Sequence, residues 1–326
     1  MSRYPPNVNT LVTGGAGFIG AHCAALALES GHQVTVLDDL STGLQVRLDG
    51  LAEAGARIVL GDVRDANARA KALEGVDAVI HLAAQGSVPR SVADPEGTME
   101  VNVHATDRLL EDMAERGLHR LVLASSAAVY GDVDGLPHTE DRVGARQSPY
   151  ADSKWANEQA VKHRRQQGWE AIALRFFNVY GPGQRSEGPN TGVIPIFVNK
   201  MCAGEAPTLF GGGTQTRDFV HVDDVARLLV HLAAGTWSDP PRAVYNVGTG
   251  KQTSLVNLVH TLAETLRARG VDGDHLTPLM GSARSGDLDH SVADLTSIVA
   301  DLGWRPTITL EHGLGELIDA RLGHEL

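Results

Sequence analysis

Tyr150 and Lys154 stand four residues apart in "SPYADSKWANE", a spacing that puts both side chains on one face of a helix. Upstream, "SSAAVYG" closes an apolar run of strand length and carries Ser126. An ammonium beside a phenol favours the ionised ring, so a group that ordinarily titrates at about 10 moves toward working pH and becomes a general base. Ser126 can hydrogen-bond the same substrate hydroxyl and steady it. A lone Tyr-x-x-x-Lys also arises by chance on any amphipathic helix, so the pair takes its meaning from the elements around it.

A second constellation lies near the front of the chain. In "TLVTGGAGFIGAH", Gly14, Gly17 and Gly20 give G-x-x-G-x-x-G, and Gly15, Gly17 and Gly20 also satisfy G-x-G-x-x-G, at the join between a strand and a helix. The early glycines permit a tight turn, Gly17 lets backbone approach a pyrophosphate at the helix N-terminus, and Gly20 lets the helix lie close on the sheet. Asp38 ends the next strand about 20 residues further on, where a carboxylate accepts from adenosine ribose hydroxyls and repels a 2′-phosphate. NAD is therefore favoured over NADP, with Asp39 able to share the role. The competing readings are a glycine turn that merely packs tightly and a solvated carboxylate. If NAD binds, its positive nicotinamide ring adds to the effect of Lys154 on Tyr150.

These residues need a frame. "NTLVTG", "QVTVLDD", "ARIVLGD", "DAVIHLAA", "RLVLASS" and "EAIALRFFN" are apolar runs of strand length, and helical patterns cover about Phe18–Ser30, Asp94–Arg116 and Tyr150–Gln166. That alternation predicts an α/β fold, a Rossmann-type doubly wound parallel sheet. After Asn178 the Gly- and Pro-rich "VYGPGQRSEGPNTG" leaves the sheet. The expected division is an NAD-binding domain over residues 1–178, revisited by about 217–248. Residues 179–216 and 249–326 then form a smaller mixed α/β substrate domain.

The chain has 326 residues with 28 basic and 40 acidic side chains, a formal charge of −12, and no run of Lys and Arg, which disfavours a nucleic-acid partner. Cys23 and Cys202 form no C-x-x-C pair, so neither a disulfide framework nor zinc is suggested and a reducing cytoplasm fits. "MSRYPPNVNT" lacks a signal-peptide core, and no apolar run approaches the roughly 18 residues of a membrane span. His81, His104 and His221 read as structural, with no bound metal expected, and Asp223 with Asp224 as caps of the helix that follows.

In family order the chain shows "TGGAGFIG", "LDDLSTG", "GDVRD", "HLAAQGSVPRS", "VNVHAT", "SSAAVYG", "SPYADSK", "RFFNVYGPGQR", "QTRDFVHVDD", "VYNVGTG" and "GDLDHSVAD". Over nearly its whole length it resembles the extended short-chain dehydrogenase/reductase family, specifically nucleotide-sugar epimerases of the UDP-glucose 4-epimerase type. The resemblance implies that Phe18 and Ile19 flank the pyrophosphate, that Asp38, Thr42 and Gly43 hold adenosine, and that Asp62 and Val63 border adenine. It implies that Leu82, Ala83, Ala84 and Asn102 line the nicotinamide half, and that Lys154 holds the nicotinamide ribose. On the sugar-nucleotide side it implies diphosphate contacts from Asn178, Arg217 and Arg284, a ribose contact from Asp287, and a wall beside the base from Thr208 and Phe210. Relatives pair through the Y-x-x-x-K helix and its neighbour, so a homodimer is expected. The chain departs from the pattern at Asp39, Ala105 and Ser285, and none of these changes removes a proton-transfer group.

Ala127 and Ala128 stand where related dehydratases carry an Asp-Glu pair and decarboxylases a Glu, so the extra acid or base those reactions need is missing. The expected activity is NAD-dependent 4-epimerisation of a UDP-sugar through a transient 4-keto sugar. Other reductase, dehydrogenase or dehydratase chemistry and a non-catalytic NAD-binding regulator are the alternatives. Ser87 and Arg90 in "GSVPRS" are similar to members acting on N-acetylated hexosamines, and small Ser291 replaces a bulky tyrosine of glucose-specific relatives. Asn178 stands where uronate epimerases usually carry Thr.

Overall fold

The computed structural model describes residues 8–188, 191–235, 242–282 and 290–323. Its first half alternates strands and helices: β1 (Asn9–Thr13), α1 (Phe18–Glu29), β2 (Gln33–Asp38), α2 (Gln45–Glu53), β3 (Arg57–Leu60), α3 (Ala66–Ala72) and β4 (Ala78–His81). Then come α4 (Val88–Ala93), α5 (Pro95–Met99), α6 (Ala105–Glu115), β5 (Arg120–Ser126), α7 (Pro149–Gln166) and β6 (Glu170–Phe176). The rest comprises β7 (Asn178–Tyr180), α8 (Val193–Cys202), β8 (Thr208–Phe210), β9 (Thr216–Arg217), β10 (Phe219–His221), α9 (Val222–Ala234) and β11 (Val244–Val247). β12 (Thr253–Ser254), α10 (Leu255–Arg267), β13 (Leu279–Gly281), α11 (Thr296–Leu302) and α12 (Leu310–Leu322) complete it.

Seven strands form one parallel sheet in the order β11-β6-β5-β4-β1-β2-β3. Runs such as Leu121–Leu123 and Ala171–Leu174 are wholly buried because helices cover both faces of the sheet. One core lies on the α1 and α9 side around Val12, Ile80, Val122, Ile172 and Leu228, the other around Leu11, Val79, Leu109, Leu121 and Ala173. The chain reverses direction across the sheet between β1 and β4, so the carboxyl ends of those strands open a crevice, where this topology binds ligands. A third core, with Phe197, Leu209, Leu258, Leu262 and Leu314, is built from α8, β8, α10 and α12, where β8 pairs with β13; β9 pairs with β12.

Local chemistry sets the helix starts. Ser148 caps α7 by accepting from the Ala151 N–H, with Pro149 at the first helical position, one residue ahead of the expected start. The helix expected over Asp94–Arg116 is continuous, but Glu100–His104 adopt π geometry, and this wider turn carries Asn102 inward. The expectation for Asp223 and Asp224 needs correction. The N-cap of α9 is His221, whose Nδ1 accepts from the Asp223 N–H at 3.3 Å, while the two carboxylates are drawn elsewhere. Asp224 is buried and accepts from the N–H groups of Thr307 and Ile308 at 2.9 and 3.0 Å, tying α9 to the approach to α12.

Candidate functional site

Tyr150 opens α7, and Ser126 ends β5. Ser126 stands beside the Tyr150 phenol and favours its ionised form, and Ser126 Oγ accepts from the Ala128 N–H at 3.2 Å, which fixes its oxygen over the turn after the strand. Lys154 lies one helical turn beyond Tyr150, with Nζ 5.9 Å from the centre of the phenol ring and donating to the Ala124 carbonyl at 2.8 Å. The trio expected from sequence is therefore assembled, but its electrostatics differ from the expectation. Burial pushes the Tyr150 phenol above its ordinary value, and only the neighbouring Ser126 pulls it back. Burial also pushes the Lys154 ammonium down to about 8. Both shifts arise because an apolar surround penalises whichever form is charged.

The glycine turn is built to leave space. Gly14 has φ +73°, and a Cβ there would sit 2.8 Å from the Ala83 nitrogen, so side-chain-free backbone lets β1 and β4 converge at the crevice. A Cβ on Gly20 would lie 2.2 Å from the Gly14 carbonyl oxygen, so this glycine admits the turn's own backbone as well as the close helix. α1 begins without a side-chain cap or any acidic residue in its first turn. Its N-terminal N–H groups and dipole are thus left to an anion. Asp38 accepts from the N–H groups of Ala16 and Leu40 at 2.9 and 2.8 Å, so it holds the glycine turn as well as facing the cleft. Burial raises its carboxyl more than those two donors lower it. An uncapped helix start, a cradle that a Cβ would fill and a carboxylate at the rim fit a dinucleotide.

Gly14, Gly17, Asp38, Thr42, Asp62, Val63, Leu82, Ala83 and Ala84 line this one cleft, as the sequence expectation grouped them. Gly43 packs beneath the turn, where a Cβ would meet that of Ala16 at 2.5 Å. Phe18 and Ile19 occupy the first turn of α1, but the Phe18 ring turns its edge to His22 and Ile19 packs on the core. Asp62 accepts from the Arg64 backbone and guanidinium, which holds its carboxyl below the usual range. Buried Asn102 exchanges hydrogen bonds with the Gln85 backbone at 2.7 and 3.0 Å and donates to Ser153 Oγ at 3.0 Å. It thereby fixes the loop that closes the cleft.

His81 is structural in the way expected. Thr106 Oγ1 donates to the Asn102 carbonyl, so it accepts from His81 Nε2, and Nδ1 is left to accept from Thr13 Oγ1 at 2.8 Å. Burial holds this ring neutral, its titration pushed down to about 3. Among the described residues the one group able to hold a metal is His221, Asp223 and Glu316, which sequence spacing did not disclose. His221 Nδ1 accepts from the Asp223 N–H at 3.3 Å, and its Nε2 lies 3.1 Å from a Glu316 carboxylate oxygen.

Asn178, Thr208, Phe210 and Arg217 line a second cavity, as grouped from sequence. Arg284 and Asp287 lie outside the described residues. Ser291 is buried, and its N–H donates to the carbonyl of Thr216, the neighbour of Arg217. Ser87 and Arg90, expected on the sugar side, are placed differently: Ser87 caps α4 and Arg90 lines the dinucleotide cleft. Sequence reasoning passed over three contributors. Lys200, one turn from the end of α8, adds a second cation to the cavity. Arg47 joins the carbonyls of Ala16 and Gly183, bridging the glycine turn to the loop after β7. Asp218 accepts from the N–H groups of Thr249, Gly250 and Ala293 and so folds the exit of β11 against Arg217's strand. Its place in "TRDF" was visible, but its partners are distant in sequence.

The model of the family described as "NAD dependent epimerase/dehydratase" matches residues 10–248. A protein named putative UDP-glucose 4-epimerase from Methanocaldococcus jannaschii is 37% identical over 312 residues, 95% of this chain and 97% of its own. Among solved structures, a UDP-N-acetylglucosamine 4-epimerase from Methanobrevibacter ruminantium, in complex with UDP-N-acetylmuramic acid, superposes with a TM-score of 0.89 at 31% identity, covering 98% of this chain and 100% of that one. A UDP-glucose 4-epimerase from Thermus thermophilus in complex with NAD gives 0.83 at 34% identity, covering 97% and 99%.

Proposed function

The chain belongs to the NAD-dependent epimerase/dehydratase family, and from that premise we propose that it is a nucleotide-sugar 4-epimerase acting on UDP-hexoses. The observation that carries this reading is the assembly of Ser126 beside Tyr150, with Lys154 one turn behind and alanines at 127 and 128 after the strand. When bound, NAD takes a hydride from the sugar C4 and returns it, and so is recycled. Gly14, Gly17 and the start of α1 hold its pyrophosphate, and Asp38 its adenosine ribose.

Tyr150 accepts the proton of the C4 hydroxyl while Ser126 orients that hydroxyl, and the product of this half is a 4-keto sugar. Lys154, cationic below about pH 8, stabilises the phenolate that this transfer needs. Arg217 and Asn178, with Lys200 beside them, clamp the diphosphate end, leaving the hexose free to present its other face. Tyr150 then returns the proton with C4 inverted. Methyl groups at Ala127 and Ala128 supply no proton for elimination or decarboxylation, which favours epimerisation over those relatives' reactions.

Small Ser291 beside Thr216 supports tolerance of N-acetylhexosamines as well as glucose and galactose. The test is product analysis after incubation with UDP-glucose, UDP-galactose and their N-acetylated counterparts. Interconversion without net NADH accumulation is expected, and stoichiometric NADH formation would replace this reading with a dehydrogenase. Ser291→Tyr should suppress turnover of the acetylated sugars while sparing UDP-glucose; equal loss on both removes the steric argument.

A homodimer through α6 and α7 belongs to the same reading. Trp155 is half-buried on α7 between Arg146 and Lys162, whose cationic ends lie 5.3 and 5.0 Å from its ring centre. A large aromatic so placed suits a helix-to-helix interface.

A further inference from the structure

Three successive turns of α7 meet three consecutive residues at the end of β5. Tyr150 stands beside Ser126, Lys154 Nζ donates to the Ala124 carbonyl, and Glu158 Oε1 accepts from Ser125 Oγ at 2.6 Å. Spaced i, i+4 and i+8, the three side chains share a helix face. The third contact is the most elaborate. Glu158 is fully buried and receives both Nε and Nη2 of fully buried Arg175, each at 2.8 Å. Arg175 stands opposite Ser125 in the β5–β6 register, stacks 4.8 Å over the Tyr130 ring, and donates Nη1 to the Glu140 carbonyl at 3.1 Å. Tyr130 in turn donates to Asn246 Oδ1 on β11.

A buried ion pair contributes little net stability, because desolvating two charges offsets most of their attraction. A two-pronged guanidinium–carboxylate bond does fix distance and angle. A slip of one residue along α7 would shift Tyr150 by about 1.5 Å and turn it by about 100°, and an error of roughly 1 Å at a reacting group costs about 100-fold in rate.

We propose that the Glu158–Arg175 pair is a positioning device that sets the height and rotation of α7 and thereby aims the Tyr150 hydroxyl at Ser126. Neither residue touches substrate. This inference rests on Tyr150 being the base, as read above.

The double variant Glu158→Met/Arg175→Met tests it, since removing both charges together leaves no orphaned ion. Thermal melting and bound NAD are expected to match the wild type within error, while kcat on UDP-glucose falls about 10- to 100-fold with KM within about twofold. Ultraviolet titration of the holoenzyme, differenced against the same protein carrying Tyr150→Phe, is expected to show Tyr150 ionising at higher pH. Wild-type kcat and an unmoved Tyr150 titration in the folded double variant would overturn the proposal. Should the double variant fail to fold, Glu158→Asp keeps the charge and shortens the reach by one methylene. A fall in kcat at an unchanged melting midpoint supports positioning, and an unchanged kcat refutes it. If the wild type itself leaves UDP-glucose unaltered, the substrate reading fails, and the tyrosine titration still decides whether the pair aims Tyr150.

Discussion

At the residue scale the site works against its own burial. Tyr150 is raised and Lys154 lowered by the same apolar surround, so the protein's packing alone holds the pair closer to neutral phenol and neutral amine than either would be in water. The positive ring of bound NAD acts in the direction that burial does not, toward phenolate. Tyr150→Phe is therefore expected to cut kcat by about 100- to 10,000-fold while isothermal titration still detects NAD and UDP-sugar binding. Lys154 also predicts a pH signature. Its folded value, about 8, lies below its ordinary value of 10.5, so the unfolded chain binds the extra proton between them. Its stability contribution is complete above 10.5 and is lost as pH falls through about 8. Urea unfolding of wild type against Lys154→Met should show the wild type gaining relative stability from pH 8 to 10, and parallel curves would contradict the burial argument.

At the scale of elements, strand ends and helix starts do the positioning. Gly20 and Gly50 both lie in helices, yet their surroundings differ completely. Gly20→Ala forces a Cβ against the Gly14 carbonyl oxygen and should both lower the melting temperature, by an overpacking cost of about 1–3 kcal/mol, and abolish NAD retention. Nothing lies within 4 Å of a Cβ on Gly50, so Gly50→Ala should stabilise by about 0.5–1 kcal/mol with cofactor content unchanged. Calorimetry with measurement of bound NAD separates the two. The start of α7 can be probed in the same way. Ser148→Ala removes the cap on the helix that carries the base and should cost about 1 kcal/mol in the melt.

For the whole molecule, the cavity holding Arg217 depends on how the later chain folds back. β11 joins the sheet beside β6, and Asp218 ties its exit to β10's approach, so the residues around that cavity are held by the same sheet that carries the glycine-turn cleft. No helix among the described residues is long and apolar enough to cross a membrane. If α6 and α7 pair with a second copy, sedimentation should report twice the 34.6 kDa chain mass. Trp155→Glu, at a half-buried position of α7, should return a single-chain mass, whereas an unchanged dimer would place the interface elsewhere.

The cofactor half was legible in the sequence because its determinants are local: a glycine turn, the strand before it and Asp38 at the end of the next strand all lie within one βαβ unit. Ser126, Tyr150 and Lys154 were legible for a similar reason, since helix periodicity alone puts Tyr150 and Lys154 on one face. Periodicity says nothing of dielectric, so the direction in which burial moves Tyr150 appeared only once the packing was known. Partners brought from far along the chain were equally hidden. His221 takes the capping role expected of Asp223 and Asp224, Arg175 grips Glu158, and Ser87 caps a helix where a sugar contact was expected. Such pairings depend on where the sheet sets its strands side by side, and short-range spacing carries no record of that.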